Sequence, residues 1–211
     1  MKRIALAGVA ALAMAFVYGV AAPSLAQTEA AKAPPDGLAV ATFAAGCFWC
    51  TESDFDKVAG VVSTTSGYTG GSKANPTYYE VGNGRTGHTE GVRIVYDPKK
   101  VTYQKLLDVY WRNVDPFDAR GQFCDKGSQY RPEIFVHDAE QKQLADASKA
   151  AVEKKLKRQV VVKITPAATF YVAEDYHQDY YNKNPVRYKF YRYNCGRDAR
   201  LEAIWGPPAT N

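Results

Sequence analysis

Between residues 91 and 113 the hydrophobic period of the chain changes. Val92, Ile94 and Tyr96 alternate on one side of an extended run that Pro98 ends, and then Leu106, Leu107, Tyr110 and Trp111 gather on one side at helical spacing. A chain that switches from period two to period 3.6 over so short a distance must pack a sheet against helices. The rest of the sequence extends the pattern. Residues 38–43 read as a buried strand, 134–137 and 160–164 as shorter ones, and 61–66 as a weaker one. Residues 139–158 read as a helix with Asp138 as N-cap and Leu144, Ala147, Ala151, Val152 and Leu156 as its apolar stripe. A third helix is expected from 173 to about 183, stopped by Asn184-Pro185. No repeat or internal linker interrupts these elements, so residues 38–211 are expected to form one α+β domain.

Residues 1–26 stand apart. Lys2 and Arg3 precede a nearly unbroken apolar run over 4–22, and Ser24-Leu25-Ala26 supplies small residues for cleavage after Ala26. This is the pattern of a secretory signal peptide; an uncleaved membrane anchor is the alternative, since the run is about long enough to span a bilayer. Either way the folded part is expected outside the cytoplasm, most simply in a bacterial periplasm. Residues 27–37 read as a flexible leader. The net charge is +5 for the whole chain and +3 once Lys2 and Arg3 are removed, too mild to imply a nucleic-acid partner.

Candidate chemistry begins at Gly46-Cys47-Phe48-Trp49-Cys50-Thr51-Glu52, where a strand gives way to a helix. Cys47 then sits at a helix N-terminus, where backbone N–H groups and the helix dipole favour thiolate; the spacing predicts a thiol pKa lowered by about one unit or more. Phe48 and Trp49 beside a reactive sulfur suit the wall of a small apolar pocket. Simpler readings exist. A cysteine on such a turn can be a buried small hydrophobe, and Cys47 with Cys50 can be a thiol-disulfide pair. Zinc is not expected, because Cys124, Cys195, His88, His137 and His177 show no paired spacing.

Two Gly-rich loops follow, Gly67-Tyr68-Thr69-Gly70-Gly71 and Gly87-His88-Thr89-Glu90, with Asn75-Pro76-Thr77-Tyr78 between them. Glu90 directly precedes an apolar strand. Held among Phe48, Trp49 and Tyr78 it would be desolvated and become a proton donor near neutral pH; at a solvated strand end it would not. The polar, Gly-punctuated stretch over 121–131 reads as a long loop offering Asp125 and Tyr130.

Together with Ala173-Glu174-Asp175-Tyr176-His177-Gln178, these motifs, in this order, resemble the A-type peptide methionine sulfoxide reductase family from about residue 41 to about 184. The resemblance implies an α/β sandwich around a mixed sheet with a ferredoxin-like core, no cofactor, and reduction of the S epimer of methionine sulfoxide by a thioredoxin-like dithiol. It implies Cys47 as the nucleophile that ends as sulfenic acid, with Phe48 and Trp49 around the substrate methyl group. Glu90 would be the acid that protonates the sulfoxide oxygen, Tyr78 and Tyr130 the phenols that bond it, and Asp125 a carboxylate that orients the site.

The family's Gly-rich, cysteine-bearing tail is absent. Only Cys195 lies in the matching region, and it is the expected resolving thiol; Cys50, by its nearness in sequence, and Cys124, beside Asp125, remain alternatives. A general thiol-disulfide oxidoreductase using Cys47 and Cys50 is the competing activity, and a Tyr-rich binding module without chemistry a weaker one. All four cysteines are expected as reactive thiols, and the late Tyr cluster mainly as packing.

Overall fold

A computed structural model describes residues 34–207. The signal segment and residues 27–33 of the leader lie outside the described residues, while 34–37 form a turn in which Leu38 N–H donates to Pro35 O (3.0 Å). In chain order the elements are β1 (Ala39–Ala45), α1 (Phe48–Phe55), β2 (Val61–Thr69), α2 (Tyr78–Gly82), β3 (Thr89–Tyr96) and α3 (Tyr103–Arg112). A small hairpin of β4 (Gly121–Gln122) and β5 (Asp125–Lys126) and a 3-10 turn (Ser128–Tyr130) follow. After them come β6 (Pro132–Val136), α4 (Ala139–Leu156), β7 (Lys163–Pro166), β8 (Tyr171–Val172), α5 (Tyr180–Lys183), α6 (Pro185–Asn194) and α7 (Arg197–Trp205).

The main sheet has the order β7-β6-β1-β3-β2-β8. Its four central strands are mutually antiparallel, and with α1 and α3 they form the β1-α1-β2-β3-α3-β6 arrangement of a ferredoxin-like core. β7 pairs in parallel with β6, which makes the sheet mixed. The register sets Phe43 opposite Val92 and Ala41 opposite Ile94. The Phe43 ring meets Phe55 of α1 at 5.3 Å and Tyr110 of α3 at 5.1 Å. Trp111 Nε1–H donates to Ser148 Oγ (2.6 Å), tying α3 to α4. Glu90 continues the Val92, Ile94 and Tyr96 face of β3, so the core stripe itself carries a carboxyl to the sheet end where α1 begins.

Several sequence expectations need correction. Residues 173–183 are not one helix: β8 precedes them, most of the segment is irregular, and only α5 is helical. The part that is helical ends at Lys183 ahead of Asn184, as expected, and Pro185 then begins α6, in the first turn, where its missing N–H costs nothing. Ala147 and Ala151 of α4 face solvent, and the buried stripe runs instead through Gln141, Ala145, Ser148 and Val152. Val160 and Val162 are buried, and Val161 exposed, in a stretch that does not join the sheet, because Val160 N–H goes to Glu153 Oε1 (3.1 Å) and Val161 N–H to Pro116 O (2.8 Å). Within 121–131 the expected loop folds into the hairpin and the 3-10 turn, with Phe123 in the left-handed region (φ 55°).

Candidate active site

The site forms where β1 passes into α1. Gly46 turns the chain at φ +84°, packed so closely on Gln122 that a β-carbon there would lie 2.5 Å from that side chain. Cys47 occupies the N-cap of α1 and is 7% exposed. The first free N–H of the helix, that of Phe48, donates to Glu90 Oε2 (3.0 Å). Glu90 is itself 3% exposed, and burial pushes its carboxyl up to about 8, against the pull of the Phe48 N–H.

The expected lowering of the Cys47 pKa is overturned. Burial, the Cys50 thiol and the negative charges of Glu90 and Asp125 raise it well above the ordinary thiol value. The helix start does not reverse this, because the nearest N–H is bonded to Glu90 and the sulfur has little contact with water. Cys50 behaves oppositely: a hydrogen bond with Cys47 and the Arg197 and Arg192 cations bring it down to about 7 despite its burial.

An aromatic cage closes around these groups. Phe48 is 1% exposed, and its ring lies 4.9 Å from His177 and 6.5 Å from Tyr78. Trp49 stacks flat on Tyr180 (3.6 Å, 5°), and its Nε1–H donates to His177 Nδ1 (3.0 Å). That bond places the His177 proton on Nε2, which is buried without a partner among the described residues. Burial lowers the His177 pKa to about 4, so the ring is neutral at pH 7. The Tyr78 and Tyr130 hydroxyls bond one another and face Glu90 and Cys47; burial pushes Tyr78 up to about 12 and raises Tyr130 further.

Asp125 reaches the same centre from the hairpin. Tyr191 O–H donates to its Oδ2 and also bonds Cys47, and burial raises the Asp125 pKa. Cys195 Sγ lies 4.0 Å from Asp125 Oδ2 and is joined to Cys124 in a disulfide, while Cys47 and Cys50 are free. The expectation of four reactive thiols is therefore corrected to two thiols and one bridge. Cys124 is exposed, so the bridge is open to solvent where the two thiols are not. Cys124, Asp125 and Cys195 are close enough to suggest a metal site, but sulfurs bonded to each other are not thiolate ligands.

The structure thus brings Cys47, Phe48, Trp49, Tyr78, Glu90, Asp125, Tyr130 and Cys195 together. His177, Tyr180 and Tyr191 belong with them; in the sequence His177 stands in the Ala173–Gln178 motif without an assigned role, and Tyr180 and Tyr191 in the late Tyr cluster. Their signal was the mixture of aromatic and polar residues in a segment that has no clean helical stripe. A separate cavity of about 740 Å3, lined by Val40, Tyr103, His137 and Leu144 among others, includes none of these residues.

A buried thiol, a neutral carboxyl on a helix start, and a nearby solvent-facing disulfide define a cysteine-based oxidoreductase. Residues 39–208 match the family model for peptide methionine sulfoxide reductase. The chain is 51% identical over 172 residues to a peptide methionine sulfoxide reductase MsrA of Listeria innocua, covering 81% of this chain and 97% of that one. A protein of Caulobacter vibrioides, peptide methionine sulfoxide reductase MsrA 2, is 49% identical over 207 residues, 98% of this chain and 100% of its own. Among solved structures, reduced Mxr1 of Saccharomyces cerevisiae superposes with a TM-score of 0.68 at 36% identity, over 73% of this chain and 90% of that one. The chain belongs to the peptide methionine sulfoxide reductase family.

Proposed function

We propose that this protein reduces the S epimer of methionine sulfoxide, free or in polypeptides, with Cys47 as nucleophile. The observation that carries the reading is the meeting of Cys47 and a carboxyl pushed up to about 8 inside an aromatic cage. The cage of Phe48 and Trp49 suits an S-methyl group and rejects polar side chains. Glu90 gives its proton to the sulfoxide oxygen, which Tyr78 and Tyr130 also bond, as the Cys47 sulfur attacks the substrate sulfur. The S–O bond breaks, the sulfide leaves two electrons richer, the oxygen ends on Cys47 as sulfenic acid, and the thiol proton replaces the one Glu90 gave. With methyl cage and proton donors on fixed sides of the sulfur, only one epimer fits.

Resolution follows the order that the bridge suggests. Cys195 attacks the sulfenic sulfur, forming a Cys47–Cys195 disulfide and releasing water. Cys124 then attacks Cys195, forming the Cys124–Cys195 bond and freeing Cys47. A thioredoxin-like dithiol reduces that exposed bridge, supplying two electrons and two protons. A general oxidoreductase built on Cys47 and Cys50 is disfavoured, since both are buried free thiols while the exposed disulfide joins Cys124 and Cys195 instead.

Dithiothreitol-driven reduction of each N-acetyl-methionine sulfoxide epimer tests the assignment. Methionine should form from the S epimer only, and Cys47→Ser should abolish it; activity surviving in that variant would sink the proposal. The segment over 1–26 supports export with cleavage after Ala26, and the mass of the protein recovered from a periplasmic fraction checks this.

A further inference from the structure

Arg197 is the one guanidinium buried to 2% exposure among the described residues' fully buried side chains, and its neighbours are unusual. Nη1–H donates to Ala45 O (3.2 Å), two residues before Cys47. Nη2–H donates to Asn113 O (2.6 Å), at the end of α3. The guanidinium carbon lies 4.5 Å from the centroid of Phe123, the residue before Cys124. Arg197 itself stands two residues after Cys195, where Gly196, at φ +66°, turns the chain into α7.

A core position rarely justifies so expensive a group. Burying a guanidinium carries a large desolvation penalty. Here the nearest carboxylate oxygen, Asp54 Oδ2, is 3.8 Å away, and Nε has no hydrogen-bond partner among the described residues. An apolar side chain would fill the space at lower cost but could not bond two carbonyls while lying against an aromatic ring. That combination of a planar fork with a cation–π face is particular to arginine.

We propose that Arg197 is a positioning residue for thiol transfer, holding the Cys47, Cys124 and Cys195 segments at the spacing that lets the oxidised sulfur pass from Cys47 to the exposed bridge. This rests on the relay given above, in which the Cys47–Cys195 and Cys124–Cys195 bonds form in turn. The sulfoxide step needs only Cys47, Glu90 and the cage, none of which Arg197 touches by side chain, so it should be spared. The transfer steps need three chain segments aligned to within bonding distance, and misalignment of about an ångström slows such steps steeply.

The test uses the full chain, fully reduced and mixed with excess N-acetyl-methionine sulfoxide in the absence of external reductant. Quenched samples are scored for methionine released and, by mass spectrometry, for each disulfide. Arg197→Lys keeps the charge and loses the fork, and Phe123→Leu removes only the ring beneath it, which covers the case of an Arg197 variant that does not fold. Both should release the first methionine at the wild-type rate while forming the Cys124–Cys195 bridge roughly tenfold more slowly, equivalent to about 1.4 kcal/mol at the barrier. Equal slowing of both steps would reduce Arg197 to a structural role, and an unchanged bridge rate would remove it from the relay. Cys124→Ser separates the two levels of the argument. If it accumulates no Cys47–Cys195 bridge, the relay fails and Arg197 with it; if it does so while the Arg197 and Phe123 variants bridge normally, only the Arg197 assignment falls.

Discussion

Replacing Glu90 with Gln should remove most of the activity and, at alkaline pH, make the protein more stable. Gln keeps the oxygen that accepts the Phe48 N–H at 3.0 Å, so the turn at Cys47 is held. It cannot give a proton. At pH 7 a carboxyl at its ordinary value of 4.5 is protonated in only about 0.3% of molecules, whereas one pushed up to about 8 is protonated in about nine-tenths. The protein's burial of Glu90 therefore multiplies the proton-donating form roughly 300-fold, and loss of a general acid lowers rates by roughly 100- to 10,000-fold. The stability effect has a definite sign. The folded protein holds a proton that the unfolded chain has lost between pH 4.5 and about 8, so wild-type stability falls through that window and is lowest above it. At about 1.4 kcal/mol per pH unit the penalty reaches about 5 kcal/mol, an upper bound that Glu90→Gln escapes. Urea unfolding of both proteins at pH 5 and pH 9 reads this as a difference of differences, which contains the Glu90 titration together with its coupling to the neighbouring thiols. The reasoning is refuted if the variant keeps more than a tenth of the wild-type kcat/KM for N-acetyl-methionine sulfoxide at pH 7. It is equally refuted if the stability gap between the two proteins does not change sign or size between the two pH values.

Other predictions concern the frame around the sulfur. His177→Phe keeps the packing but deletes the acceptor of the Trp49 indole N–H, so KM should rise by roughly tenfold, the effect of one hydrogen bond worth about 1.5 kcal/mol, with kcat largely kept in steady-state assays. Reducing the Cys124–Cys195 bridge, which spans 71 residues of sequence, should cost about 4 kcal/mol on the chain-entropy account. Calorimetry with and without reductant should show a Tm fall of roughly 10 °C that Cys124→Ser lacks. Gly46→Ala would place a β-carbon 2.5 Å from the Gln122 side chain at a left-handed φ, so we expect a stability loss of about 1–3 kcal/mol and a lower kcat/KM, checked by denaturant unfolding and the same sulfoxide assay.

Local patterns marked out much of this site, and the family resemblance supplied the roles of its residues. Cys47 follows a strand and a glycine, Glu90 precedes a period-two run, and Tyr78 and Tyr130 lie in Gly-punctuated loops. Each position is fixed by the chain immediately around it. The long C-terminal segment was read less well. Its backbone between Ala173 and Asp179 is held by distant partners, such as Ser66 O for Ala173 N–H (3.0 Å) and Glu52 Oε2 for Asp179 N–H (3.0 Å), so no local period announces its shape.

The sequence by itself determined the alternation of sheet and helix, the order of the motifs, the pocket-forming aromatics and the identity of the thiol at the helix start, because propensity, periodicity and turn chemistry are short-range. Only the tertiary structure decided the protonation of that thiol, the pairing of Cys124 with Cys195, and the roles of His177, Tyr191 and Arg197. Burial and charge are properties of everything that converges on a point: the same Cys47 that a helix N-terminus would ionise is kept protonated chiefly by a dry cage, with a second thiol and nearby carboxyls adding to it, all brought to it from the rest of the fold.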